Sequence, residues 1–131
     1  MKKANIGLIG LAVMGETLAL NMLGKGFSVA VYNRTAEKVT RFVNGRARGL
    51  DAIGCDSVEA LCAALRRPRR VMLMVKAGAP VDALIQQLLG CLEPGDVIID
   101  GGNAHYPDTI HRCAYLEGKG LLYVEIRRAH V

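Results

Sequence analysis

Several apolar runs are too short for helices and too continuous for half-solvated strands. They are Ile6-Gly7-Leu8-Ile9, Ser28-Val29-Ala30-Val31-Tyr32, Val71-Met72-Leu73-Met74-Val75 and Val97-Ile98-Ile99. A strand with no polar alternation is buried on both faces, which is the condition of a parallel sheet covered by helices. The intervening segments have helical spacing. Leu18 and Met22 belong to a helix that stops near Gly24-Lys25-Gly26. A second helix is predicted from Ala36 to Val43. Asp56 and Glu59 stand at capping-box spacing and open a third through Leu65. Pro80 suits the first turn of a helix reaching Leu89. A last helix runs from Pro107 to Lys119, closed by Gly120. A weak strand near Ala52-Ile53, a turn at Pro94-Gly95-Asp96 and a final strand over Leu121–Val124 complete the series. Repeated β-α units with short loops predict a doubly wound α/β domain, mainly parallel, with helices on both faces.

The chain has 131 residues, enough for one domain with one ordinary core. No apolar run approaches the ~20 residues that span a bilayer. Lys2 and Lys3 before an apolar run imitate a signal peptide, but glycines interrupt the run and its spacing is that of a strand, so a cytoplasmic protein without a membrane partner is expected. Cys55, Cys62, Cys91 and Cys113 form no CxxC and have no histidine pair nearby, so reduced thiols are expected rather than a metal site or a disulfide framework. The net charge is +5, and its sharpest cluster is Arg66-Arg67-Pro68-Arg69-Arg70. That cluster reads as a solvated loop between helix and strand. Two Phe, four Tyr and no Trp leave few rings to interleave with it, so no nucleic-acid partner is expected.

Gly10 to Gly15, with sequence GLAVMG, joins the first strand to the first helix. In such a turn the first glycine permits the tight bend and the third permits close helix–strand packing. The middle position must be small so that backbone amides can approach a pyrophosphate resting on the helix N-terminus. Here that position is Ala12, which is small but not minimal. Gly10, Leu11, Ala12, Val13, Met14 and Gly15 are therefore candidate dinucleotide ligands. Met14 suits either a cofactor ring or the core.

The end of the second strand usually carries an acid that accepts from the ribose 2′-OH of NAD, whereas an arginine there accommodates the 2′-phosphate of NADP. This chain offers Asn33, Arg34 and Thr35 and no acid. A guanidinium can fork onto phosphate and stack on adenine. Asn33 and Thr35 add neutral hydrogen bonds, and Thr35 is also placed to cap a helix. NADP is the expected cofactor. Two further strand ends, Val75-Lys76-Ala77-Gly78 and Asp100-Gly101-Gly102-Asn103, point to the edge where open parallel sheets bind ligands. Lys76 beside a glycine is a site candidate, and the Asn103 amide offers both donor and acceptor. His105 and His111 have no visible partner and are read as surface or helix residues.

These four stretches, in this order, closely resemble the amino-terminal domain of the 6-phosphogluconate dehydrogenases, decarboxylating NADP-dependent enzymes of the pentose phosphate pathway. The resemblance covers residues 4 to 124 and includes the Arg67-Pro68-Arg69-Arg70 stretch. The related hydroxyisobutyrate dehydrogenases share the turn but usually carry an acid after the second strand and a Ser/Thr-rich loop in place of DGGN. The resemblance implies a Rossmann-like domain over residues 1–124. It implies NADP held by Gly10–Gly15 and Asn33–Thr35, with Val75, Lys76 and Ala77 along the nicotinamide half and Asn103 touching both cofactor and 6-phosphogluconate. The family oxidises C3 of that substrate, releases carbon dioxide and protonates the enediol to ribulose 5-phosphate.

After Val124 the resemblance ends. The family continues with a glycine-rich substrate loop, and its catalytic lysine and glutamate and its helical, homodimer-forming domain lie further on. This chain reads Glu125-Ile126-Arg127-Arg128-Ala129-His130-Val131. Residues 125–131 are expected to be a divergent tail, the product of a frame shift or truncation; an uninterrupted frame in independent reads would sink the frame-shift idea. No catalytic residue is assigned, since hydride transfer needs a base and the enediol an acid. Cofactor binding without turnover is the expectation. The alternatives are a β-hydroxyacid dehydrogenase relative and a non-catalytic nucleotide-binding fragment.

Overall fold

The computed structural model describes residues 3–75, 79–101 and 106–125, with the backbone alone for 106–110 and 125. Six strands form one parallel sheet: β1 (Ile6–Ile9), β2 (Val29–Tyr32), β3 (Ala52–Gly54), β4 (Arg70–Leu73), β5 (Val97–Asp100) and β6 (Leu122–Glu125). Between them run α1 (Val13–Gly24), α2 (Ala36–Asn44), α3 (Val58–Ala63), α4 (Ala79–Leu89) and α5 (Tyr106–Glu117). The spatial order is β3-β2-β1-β4-β5-β6. The chain starts at the centre, winds outward to β3, then crosses back to β4. Right-handed crossovers therefore place α1 and α2 on one face and α3, α4 and α5 on the other.

The core follows from the two-residue period of a strand. Leu8, Val31 and Met72 pack with Ala19, Leu23 and Phe42 beneath α1 and α2. Their strand neighbours Ile9, Ala30 and Leu73 pack with Leu61, Ile85, Leu88 and Leu116 on the opposite face. Each central strand thus feeds two apolar layers, which is why the runs show no polar alternation.

The predicted strands and helices all occur, with shifted ends. β4 starts one residue earlier than the apolar run and ends at Leu73, because Met74 and Val75 lead out toward the ligand edge. α3 stops at Ala63 rather than Leu65, since Leu65 bridges to Ala4 beside the sheet. Its N-cap is Ser57, not Asp56: the Ser57 hydroxyl accepts from the Ala60 amide at 3.0 Å. α5 closes at Glu117, and Gly120 takes the left-handed φ of 81°.

The arginine cluster is only partly a solvated loop. Arg66, Arg67 and Arg70 are exposed, and Arg67 pairs with Glu93. Arg69 is drawn inward. Asp96 accepts from the Arg69 amide at 2.7 Å, from the Glu93 amide at 2.8 Å, and from Arg69 Nη1 at 3.5 Å. The buried carboxylate is satisfied by this set, which fixes the start of β5 against that of β4.

Candidate functional site

β1 and β4 are neighbours, and the connections that leave them run in opposite directions, from β1 through α1 to β2 and from β4 through α4 to β5. The crevice at the carboxyl end of β1 is the topological switch point, where doubly wound sheets bind ligands. The glycine turn lies there. Gly10 adopts φ 109°, and a Cβ on it would stand 2.3 Å from the Met74 carbonyl oxygen. Gly15 sits in the first turn of α1, where a Cβ would stand 1.9 Å from the Gly10 carbonyl oxygen. Both glycines are required by backbone approach, not by turn propensity alone. Gly101, just after β5, differs: its Cβ would meet Met74 Sδ at 2.3 Å, a flexible side-chain atom that can move aside.

Ala12 is the N-cap of α1 in extended conformation, and no side chain caps that helix. The first amides of a helix have no intrahelical partner and carry the positive end of its dipole, so they stand ready for an anion. Val13 and Met14 are 79% and 58% exposed at this end. Met14 is thus at the site's surface and does not fill the core.

Asn33 has a different task from the one its place suggests. Its Oδ1 accepts from the Leu11 amide at 2.8 Å, and its Nδ2 donates to the Thr35 carbonyl at 3.3 Å. The side chain ties the glycine turn to the end of β2. Thr35 is the N-cap of α2, but its hydroxyl makes no cap bond, and the residue is exposed. Arg34 is exposed and has no hydrogen-bond or ion-pair partner among the described residues. It lines a cleft of about 350 Å³ with Gly10, Tyr32, Asn33, Val75 and Leu84. On the other side of the turn, a cavity of about 330 Å³ is lined by Ala12, Val13, Glu16, Lys38, Arg41 and Arg46. Arg46 Nη1 pairs with Glu16 Oε1 at 2.8 Å, leaving Lys38 and Arg41 without partners among the described residues. Sequence reasoning missed these cations. Their positions one turn apart on α2, just after Thr35, were the available signal.

The turn, the β2 end and Val75 therefore meet in one crevice. Lys76, Ala77, Asn103 and His105 lie outside the described residues. Asp100 belongs to the scaffold: its Oδ2 accepts from the Tyr123 hydroxyl at 2.6 Å, in a buried setting. Burial, and then this carboxylate, push the Tyr123 hydroxyl well above its usual range. Nearby, Arg112 is 6% exposed and forks onto Asp82 through Nε at 2.7 Å and Nη2 at 3.1 Å. His111 is exposed on α5. Among the described residues, no group of His, Cys, Asp or Glu could hold a metal ion, and no helix is long and apolar enough to cross a membrane.

A switch-point crevice, a doubly constrained glycine turn and an uncapped helix start define a dinucleotide-binding domain of the Rossmann class. The family described as the NAD binding domain of 6-phosphogluconate dehydrogenase matches residues 5–126. The decarboxylating 6-phosphogluconate dehydrogenase of Cunninghamella elegans is 60% identical over 121 residues, covering 92% of this chain and 25% of the relative. The Plasmodium falciparum enzyme, solved in apo form, with its cofactor NADP+ and with its substrate 6-phosphogluconate, superposes with a TM-score of 0.84 at 43% identity, covering 91% of this chain and 26% of that one. A 3-hydroxyisobutyrate dehydrogenase from Mycobacterium tuberculosis shares the fold at a TM-score of 0.76 with 20% identity, covering 98% of this chain and 41% of that one. The chain belongs to the 6-phosphogluconate dehydrogenase NAD-binding-domain family. It spans about a quarter of the length of the curated relatives it matches.

Proposed function

We propose that this chain holds NADP as the cofactor domain of a decarboxylating 6-phosphogluconate dehydrogenase. The observation that carries the reading is the unpartnered Arg34 at the end of β2, where an NAD site would place a carboxylate. The residues fit the cofactor. Gly10 and Gly15 let α1 approach the turn, and the Leu11 amide is already taken by Asn33. The amides of Val13 and Met14 at the uncapped start of α1 are left to hold the pyrophosphate. Arg34 clamps the adenosine end, with Lys38 and Arg41 adding positive charge beyond it. Val75, Lys76 and Ala77 line the nicotinamide half, and Asn103 orients both cofactor and sugar phosphate. NADP, when bound, supplies the hydride acceptor.

The substrate under this reading is 6-phosphogluconate, and the product of the family-length enzyme is ribulose 5-phosphate, in the pentose phosphate pathway. The full enzyme works as a homodimer in the cytoplasm, where a reducing setting suits four free thiols. By themselves these 131 residues bind cofactor without turning substrate over. The reaction needs a base for the hydroxyl proton and an acid for the enediol, and Lys76 is the one candidate the sequence offers. Quenching of NADPH fluorescence by the purified chain tests the reading. Saturable binding with no NADPH formed from NADP and 6-phosphogluconate is expected. Absence of binding would overturn the cofactor reading. Turnover above a Lys76→Ala control would overturn the claim of binding alone.

A further inference from the structure

The cavity beside the glycine turn holds one carboxylate among cations. Glu16 comes from the first turn of α1, whereas Lys38 and Arg41 come from α2 and Arg46 from the turn that follows it. Backbone bonds hold both members of the Glu16–Arg46 pair in place. The Glu16 amide donates to the Ala12 carbonyl at 2.9 Å, which closes the first turn of α1. Across the cavity, the Gly45 and Ala47 amides donate to the Phe42 carbonyl at 3.3 and 3.0 Å, and Ala47 is buried. The chain is thereby wrapped around the end of α2, and Arg46 Nη1 meets Glu16 Oε1 at 2.8 Å across 30 positions of sequence. The pair adds little to stability, because the Arg46 side chain is 59% exposed. Its effect is on the charge that a ligand meets.

Given the NADP reading of this domain, we propose that Glu16 and Arg46 are specificity-determining residues of the nucleotide site: Arg46 neutralises Glu16, so that the cavity presents the charges of Lys38 and Arg41 to the 2′-phosphate. The ribose 2′ position lies at the end of β2 in this fold class. That end runs through Asn33–Thr35 into α2, and Asn33 joins it to Leu11, which also lines the cavity. Arg34 acts on the phosphate from the neighbouring cleft, and Lys38 and Arg41 act from this one. Without Arg46, the Glu16 carboxylate would repel any phosphate entering the cavity. The lining carries three cations and one carboxylate, a net charge of +2. A space of about 330 Å³ keeps its facing charges within roughly one Debye length, ~8–10 Å, of an ion between them. NAD has a neutral hydroxyl at the 2′ position, so the same charges discriminate between the two cofactors.

The test measures NADP and NAD dissociation constants at low salt for the chain, for Arg46→Ala, for Glu16→Gln and for the double variant. A 2′-phosphate carries about two negative charges, so changing the cavity by one charge should move the ratio of NADP to NAD affinity by roughly 3-fold. Arg46→Ala should lower the ratio by that factor, Glu16→Gln should raise it, and the double variant should return it to the starting value. High salt should shrink all of these differences. Melting temperatures should stay close to that of the unsubstituted chain, since the pair is exposed. A merely structural role for Arg46 would weaken NADP and NAD together, with no reversal by Glu16→Gln. That result, a loss in Arg46→Ala that persists in the double variant, or a ratio unmoved by either single substitution would overturn the proposal and leave the cofactor reading standing. Binding of neither nucleotide by the unsubstituted chain would overturn both.

Discussion

Asn33 and Arg34 are adjacent at the end of β2, and substitutions there should separate their work. Asn33 holds the Leu11 amide, so Asn33→Ala loosens the glycine turn itself. A hydrogen bond of this kind is worth roughly 0.5–1.5 kcal/mol, so NADP and NAD should both weaken by about 2- to 10-fold, measured by parallel titrations. A loss confined to NADP would mean that Asn33 contacts the phosphate directly. Gly15→Ala puts a Cβ on the Gly10 carbonyl oxygen. α1 must then move away, at about 1–3 kcal/mol, and nucleotide binding should disappear along with a lower melting temperature. Both residues stood out in the sequence, but only one role was readable. Gly15 is legible because a strand and a helix flank it locally. The Asn33 bond spans 22 positions, and no local pattern carries that information.

The β-α alternation was legible element by element, since a doubly buried strand cannot hide its apolar run. Boundaries were less so. In Asp56-Ser57-Val58-Glu59, two adjacent residues can cap, and only the geometry picks Ser57. The ties between elements were not legible at all: Arg69 to Asp96, Asp82 to Arg112 and Tyr123 to Asp100 join residues 27, 30 and 23 apart. One of them predicts a pH effect. The Arg112 hydrogen bond lowers the Asp82 carboxyl below its usual 3.8. A depressed acid contributes stability above its unfolded value and loses it as pH falls through the folded value. The chain should therefore lose stability below about pH 4, and Asp82→Asn should flatten part of that limb in acid melts. The step should be small, because the Asp82 side chain is 60% exposed. An unchanged acid limb in the variant would contradict the tie.

Across the whole molecule, the sheet has two kinds of edge. The carboxyl ends of β1 and β2 carry the crevice, and β6 is an outer strand whose Leu122 and Val124 are 56% and 48% exposed. Their neighbours Leu121 and Tyr123 pack on the α3–α5 face, so these two stand on the other side of the sheet. Glu125, at the end of β6, is the strand's single charged residue, and an outer strand with two exposed apolar side chains invites pairing. The purified chain should show a mass by light scattering that rises with concentration, and Leu122→Lys should lower it. A concentration-independent monomer would contradict this. The central claim concerns the crevice. Its most direct measurement is the dissociation constant for NADP and for NAD, in the chain and in Arg34→Ala. A charge-assisted hydrogen bond contributes about 1.5–3 kcal/mol, so the chain should prefer NADP by roughly 10- to 100-fold, and Arg34→Ala should erase most of that preference. Equal affinities in the unsubstituted chain, or a preference untouched by the substitution, would contradict the account.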